Sequence, residues 1–257
     1  MPLAVRPEAL VAAAIAIALA AWTLRWLTFD GAVAAALVGG AVAAFGGVRW
    51  AIALLAFFAT GTALTLVGRR RKPQPEHRGR GRTAAQVAGT GGVAALLSVL
   101  WGAGLAPPGV RGALPAAFLG ALAAAAADTW SAEIGMLSPH PPRMVTTGQS
   151  VPVGTSGGVT AVGSLAGVAG AAVIAAAGAT DARVFAAAWG AGVAGMVLDS
   201  LLGATIQATF RRPDGAIVED PAGATPVRGI AWITNPVVNV FATAAGALLA
   251  VLIARLL

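Results

Sequence analysis

The chain contains no cysteine and no tyrosine, one lysine, and only 11% charged residues among its 257. Without cysteine there is neither a disulfide nor a thiolate metal site, and the redox compartment leaves no mark on the sequence. Any bound metal must rest on oxygen ligands or on His77 and His140. So little charge also excludes a soluble domain of ordinary composition, because 58% of the residues are apolar and the mean hydropathy is +0.81. The chain is expected to lie in a lipid bilayer. Its formal charge of +7 comes almost wholly from arginine, in company with an excess of Ala and Gly. That pattern follows from a GC-rich genome, and no nucleic-acid partner is expected from it.

What the chain does have is a succession of apolar runs. A helix needs about 20 apolar residues to cross the hydrocarbon core. By that measure the expected architecture is an all-α polytopic bundle, a single integral membrane domain over residues 1–257. Its spans lie near 9–27, 31–47, 50–67, 86–105, 113–134, 158–178, 183–208 and 237–256. Eight spans fit best; the short second one leaves seven as the alternative. The first run is long enough to span and lacks a small-residue cleavage site, so it reads as a helix and not as a signal peptide. Glycine and alanine recur at near-helical spacing in GVAGAAV (167–173) and GAGVAGM (190–196), which lets helices approach closely in lipid.

Three long polar connections, 68–85, 136–157 and 210–236, emerge on one face in the eight-span reading, together with the turn at Arg25. That face carries twelve basic residues against five on the other. The bias assigns the long connections to the cytoplasm and both termini to the outside, with the inner membrane as the expected location.

Most of the ten acidic residues fall in connections, where water solvates them. Asp128, Glu133 and Asp199 do not. Asp199 stands in GMVLDSLLGATIQ with apolar residues on both sides, where a carboxylate costs roughly 2.5 to 3.5 kcal/mol on insertion scales. Asp128 and Glu133 close an apolar run in ADTWSAEIG. Five residues apart, they are separated by about 140° on an ideal helix and share no face. To meet on one ion they need a break in the helix. The alternative is that Asp128 and Asp199 come from neighbouring helices to hold Mg²⁺ while Glu133 orients a loop or a substrate group. Magnesium suits either arrangement, because it takes one or two carboxylates and fills its shell with water and phosphate oxygens.

The connection after Glu133 offers Arg143, Thr146 and Thr147 as donors. It ends in GTSGG, residues 154–158, just before an apolar run. Gly154, Gly157 and Gly158 free the backbone to turn its N–H groups inward, Thr155 or Ser156 can cap the helix, and a helix start favours anions. No lysine follows the glycines, so this is not a Walker A loop. Upstream, RGRGRTAAQVAGTGG (78–92) places Arg80, Arg82 and Gln86 at the membrane entry as phosphate candidates. Gln207 lies two turns after Asp199, on roughly its side. Asn235 before Pro236 has the form of an N-cap, and Asn239, one turn on, is the better ligand contact.

These segments in this order, RGRGRTAAQVAGTGG, ADTWSAEIG, PRMVTTGQSVPVGTSGGVTAVG, DSLLGATIQ and WITNPVVN, resemble the integral membrane family that includes the plastid phytyl-phosphate kinase of plants. The resemblance runs in pieces from about Arg78 to Asn239, and the first three spans match only in being apolar. It departs at Thr90 and Ser156, where Asn is common, at Val153, where Pro is common, and at Pro236, where an acid is common. The resemblance implies a Mg²⁺-dependent phosphotransferase that moves a phosphoryl group from a nucleoside triphosphate to an isoprenyl monophosphate. A looser similarity of DTWSAEIG to membrane prenol kinases and CDP-lipid synthases points to CTP. On that footing Asp128 and Asp199 are Mg²⁺ ligands and Glu133 is a third ligand or an orienting group. Residues 154–158 hold donor phosphates, Arg82, Arg80 and Arg143 hold the acceptor, and Gln86, Gln207, Asn235 and Asn239 are further contacts. A transporter or flippase for a phosphorylated lipid is the competing reading, distinguished by acids at mid-bilayer instead of at one face.

Overall fold

The computed structural model describes residues 6–68, 72, 81–215, 217–219 and 223–257. The helices are α1 (Pro7–Thr23), α2 (Phe29–Ala41), α3 (Gly47–Leu66), α4 (Ala84–Gly102), the single turn α5 (Pro108–Arg111), α6 (Leu114–Gly135), α7 (Ala161–Gly178), α8 (Ala182–Thr205) and α9 (Asn235–Leu256). By length and composition, five stretches could cross a membrane: Phe29–Leu66, Ala84–Gly102, Ala161–Gly178, Ala182–Thr205 and Asn235–Leu256.

The first of these is not one rod. After α2 the chain passes through a π-turn, Val42–Gly46, and reverses at Gly47, whose φ of 75° lies in the left-handed region. Neighbouring contacts fix the directions of the two halves. Along α2, Val38 abuts Gly91 of α4, and Phe45 of the π-turn abuts Gly102. In α3, Trp50 stacks on Phe118 at a centroid distance of 4.2 Å, near the start of α6. Further on, Thr65 donates a hydrogen bond to Glu133, near the end of α6. Thus α2 runs with α4 and α3 with α6. Beyond the turn, α2 and α3 diverge and hardly touch.

α6 is the axis of the bundle. Every residue from Ala116 to Ala127 is buried, and α7, α8, α9, α4 and α3 all pack on it. Alanine and glycine make this possible, because a helix without bulky side chains lets several neighbours approach at once. At Gly192 a Cβ would meet Ala123 at 2.7 Å and Ala171 at 3.0 Å; at Gly195 it would meet Ala124 at 2.5 Å. α8 therefore lies against α6 almost backbone to backbone.

The bundle is helical as expected, and the polar connections add structure that the all-α expectation lacked. β1 (Arg143–Met144) pairs with β2 (Gly158–Val159), and β3 (Thr209–Arg211) lies between β4 (Ile217–Val218) and β5 (Thr225–Arg228). Helix starts shift accordingly. α7 begins at Ala161, not 158, capped by Thr160, whose Oγ1 accepts from the Gly163 N–H at 3.0 Å. Capping by Thr155 or Ser156 is thereby replaced: Thr155 Oγ1 donates instead to the Pro152 carbonyl at 2.8 Å. In α9 the cap position belongs to Thr234, which moves Asn235 to the first helical position and corrects its reading as the cap.

Close helix approach gives a direct test. Gly192→Leu should destabilise the protein by roughly 1–3 kcal/mol through overpacking. Gly92→Leu, where nothing lies within 4 Å of a Cβ, should be neutral or slightly stabilising because Leu is the better helix former. Thermal unfolding in detergent distinguishes the two.

Candidate active site

The parallel course of α6 and α8 sets the two central acids. Gly195 meets Ala124; one helical turn further along each rod stand Asp199 and Asp128. Their carboxyl groups come within hydrogen-bonding reach of each other. Asp199 is 7% exposed, and its Oδ2 is buried without a hydrogen-bond donor among the described residues. Two carboxyl groups that close in a medium of low dielectric repel strongly, and a cation between them removes the repulsion.

α6 continues unbroken to Gly135, so Glu133 points elsewhere. Its Oε2 forms an ion pair with Lys72 Nζ at 2.6 Å, and its Oε1 accepts from Thr65. Lys72 also donates to the Leu64 carbonyl at 2.6 Å. Among the described residues no three acidic or His side chains gather as a metal set. The three-carboxylate arrangement is therefore not what the fold forms: Asp128 and Asp199 come together, and Glu133 anchors the chain's one lysine. Glu219, which the sequence reading left in a solvated connection, is the acid that approaches the pair, close enough for its charge to act on both.

The glycine loop lies over this pair. Gly154 and Gly157 have φ of 89° and 81°, and Gly157 rests on Ala204 in α8, where an added Cβ would collide with the Ala204 side chain at 2.5 Å and its backbone at 2.6 Å. Buried Gln207 fastens the loop: its Nε2 donates to Ser156 Oγ at 2.9 Å and to Glu219 Oε1 at 3.0 Å, while the Ser156 hydroxyl donates to Glu219. The N–H groups of Gly154, Ser156 and Gly157 have no acceptor among the described residues. A turn of free N–H groups beside a cleft is an anion-binding surface.

Opposite the loop stand the starts of α4 and α9. Gln86 Oε1 accepts from the Thr83 N–H at 2.9 Å and closes the first turn of α4. Asn239 Nδ2 donates to Asn235 Oδ1 at 3.1 Å, so both asparagines face the interior of the site. Arg82 is tied by its backbone to Trp26 and Thr28 at 2.9 and 3.1 Å, which directs its side chain inward, toward Gly61 and Thr129. Burial holds its guanidinium below the ordinary arginine value, and the charge of Glu133 acts in the opposite sense. No carboxylate among the described residues comes within ion-pair distance of it.

These groups enclose one polar cavity of about 270 Å³. Of the sequence-derived candidates, Arg82, Gln86, Asp128, Glu133, residues 154–158, Asp199, Gln207, Asn235 and Asn239 line it. Arg143, Thr146 and Thr147 do not: they are exposed in the β1 hairpin, where Arg143 Nη1 donates to the Gly148 carbonyl at 2.9 Å. Arg80 lies outside the described residues. The sequence reading missed Glu219, Thr129 and Ser200, which line the cavity, and Lys72, which holds Glu133, and it set Thr90 aside, although Thr90 lines the cavity too. Only Lys72 carried a signal, as the single lysine of an arginine-rich chain.

Comparison with known proteins places this arrangement in context. A profile of the family described as "Integral membrane protein DUF92" matches residues 12–247. An uncharacterized membrane protein of Methanocaldococcus jannaschii is 32% identical over 89% of this chain and 86% of its own. Protein PGR of Arabidopsis thaliana is 34% identical over 63% of this chain and 65% of its own. An uncharacterized membrane protein of Synechocystis is 30% identical over 80% of this chain and 74% of its own. No solved structure matches.

The Lys72–Glu133 pair has side chains only 8% and 15% exposed, so removing one partner leaves a buried charge unmatched. Lys72→Met should cost roughly 3–5 kcal/mol. Adding Glu133→Gln should recover much of that loss. Unfolding of the two single variants and the double variant measures the coupling.

Proposed function

We propose that this chain, which belongs to the DUF92 family of integral membrane proteins, is a kinase that transfers a phosphoryl group from a nucleoside triphosphate, CTP by resemblance, to an isoprenyl monophosphate such as phytyl phosphate. One juxtaposition carries the reading: the paired Asp128 and Asp199, the free N–H groups of the glycine loop, and Arg82 line a single cavity at one end of the bundle. Phosphoryl transfer asks a protein mainly for positioning and for neutralisation of charge between two polyanions.

Asp128 and Asp199 would hold Mg²⁺. The donor-free Asp199 Oδ2 beside a second carboxylate suits an ion that takes one or two carboxylates and completes its shell with water and phosphate oxygens. When bound, the ion neutralises charge on the transferring group. The N–H groups of residues 154–158 bind the donor phosphates, held by the Ser156–Gln207–Glu219 network. Arg82 binds the acceptor monophosphate. Glu133 lines the cavity with its carboxylate held by Lys72 and Thr65, so it acts as a positioning group and not on the reacting atoms.

An oxygen of the acceptor phosphate forms a bond to the γ-phosphorus of the donor, and the bond from that phosphorus to the β–γ bridging oxygen breaks. The products are an isoprenyl diphosphate and the nucleoside diphosphate. The acceptor is already anionic near neutral pH, so no general base is required. In the eight-pass reading, the ends of α1, α3, α6 and α8 and the starts of α2, α4, α7 and α9 come to the cavity face, and the surplus of basic residues would turn that face to the cytoplasm. Asp128 and Asp199 lie within two turns of the ends of α6 and α8, on the order of 10 Å inside the bundle. That depth favours transfer at one face over transport through the middle.

Purified protein in detergent with Mg²⁺, labelled CTP or ATP and farnesyl, geranylgeranyl or phytyl monophosphate should yield the corresponding diphosphate. Asp128→Asn or Asp199→Asn should lower the rate by roughly a hundredfold or more with the folded protein retained. A wild-type protein that turned over no nucleotide yet moved lipid phosphates across liposomes would replace this reading with transport.

A further inference from the structure

Where α2 and α3 diverge from Gly47 they leave a wedge between them, floored by α4 and flanked by α1. It is a second cavity, about 230 Å³, with almost entirely apolar walls. Ala43 and Val48 close it at the turn. At the opposite end its lining includes Arg82 and Thr90, and these two residues also line the polar cavity of Asp128 and Asp199. Ile17, Val48, Ile52 and Leu55 along its lip are 38–51% exposed, so the wedge opens sideways to where the hydrocarbon would be. From Val48 to Phe58 it follows α3 for about 15 Å.

Resting on the kinase reading for its headgroup chemistry, we infer that this wedge seats the hydrocarbon tail of a single-chain lipid monophosphate whose phosphate lies on Arg82. Three observations select that occupant. The walls are apolar and open to lipid, which suits a hydrocarbon. Among the described residues the only charged group in them is the guanidinium at the junction, with no carboxylate of those residues within ion-pair distance; a planar fork of donors recognises phosphate. The size admits one chain: roughly 150 Å³ houses a benzene, so about 230 Å³ holds on the order of ten carbons of a single tail, whose remainder leaves through the open lip, and not two acyl chains side by side. A lipid entering laterally through the lip would carry its phosphate past Thr90 into the polar cavity, with the tail left behind in the wedge. The N-terminal helices, which carry no acid or base of the site, would thus set which lipid is accepted.

The test is binding without nucleotide, by titration calorimetry in detergent, of farnesyl monophosphate, isopentenyl monophosphate and dioleoyl phosphatidic acid. Ala51→Phe places a ring in the wedge; it should weaken farnesyl monophosphate at least tenfold and leave isopentenyl monophosphate unchanged. Arg82→Gln should weaken both. Leu55→Ala trims a side chain at the lip that is 45% exposed and so adds no clash; in a parallel titration with geranylgeranyl monophosphate it should shift preference toward that longer chain. Farnesyl monophosphate bearing a terminal diazirine should crosslink to α1, α2 or α3. Crosslinks confined to other helices, unchanged farnesyl affinity in Ala51→Phe, or equal binding of phosphatidic acid would overturn the inference. Its failure and that of the kinase reading separate cleanly: tight chain-length-dependent binding with no phosphoryl transfer removes only the kinase, whereas transfer with chain-length preference untouched by Ala51→Phe and Leu55→Ala removes only the wedge.

Discussion

Two carboxyl groups that face each other inside a helical bundle dictate much of what surrounds them. Asp128 and Asp199 meet because α6 and α8 are stripped to alanine and glycine where they cross, which lets the backbones approach and sets the acids in register one turn further on. Such a pair is costly in an apolar interior unless a cation and further polar groups complete it. The fold supplies the polar groups: free N–H donors in the glycine loop on one side, Arg82 on another, and the asparagine pair of α9 on a third.

The supporting interactions fall into two kinds. Some hold the walls of the site, among them the Lys72–Glu133–Thr65 cluster that ties α3 to α6, and the Gln207 network that pins the loop to the end of α8. Others have no partner among the described residues, above all Asp199 Oδ2 and the N–H groups of Gly154, Ser156 and Gly157. A polar group left unsatisfied in a native interior calls for an explanation, and here several converge on one cavity. Satisfied groups form the frame; unsatisfied ones mark where a ligand belongs.

Much of this was legible in the sequence. Apolar runs of membrane length marked the helices, and Asp128, Asp199 and residues 154–158 stood out because carboxylates and clustered glycines have a cost in such a setting. The angular separation of Asp128 and Glu133 left two arrangements open, a break in the helix or a pairing of Asp128 with Asp199, and the unbroken course of α6 selects the second. What escaped was whatever depends on the path of a connection. Glu219 lies in a polar stretch that reads as solvated, and only the β3–β4 hairpin carries it to the pair. The same dependence misled in the other direction for Arg143, Thr146 and Thr147, whose hairpin points away from the cavity. Asn235 was read as a cap because a proline follows it, whereas the cap position moved to Thr234 and released Asn235 to its partner Asn239. The wedge between α2 and α3 had no signature at all, because divergence of two apolar helices is a property of packing and not of composition.

If the paired acids and a phosphate share one divalent ion, Mn²⁺ in place of Mg²⁺ reports on that ion by electron paramagnetic resonance. One tightly held Mn²⁺ per chain is expected, with hyperfine coupling to phosphorus when a nucleoside triphosphate is added. A manganese signal that stays that of the free aqueous ion, or a bound ion with no phosphorus coupling, would contradict it.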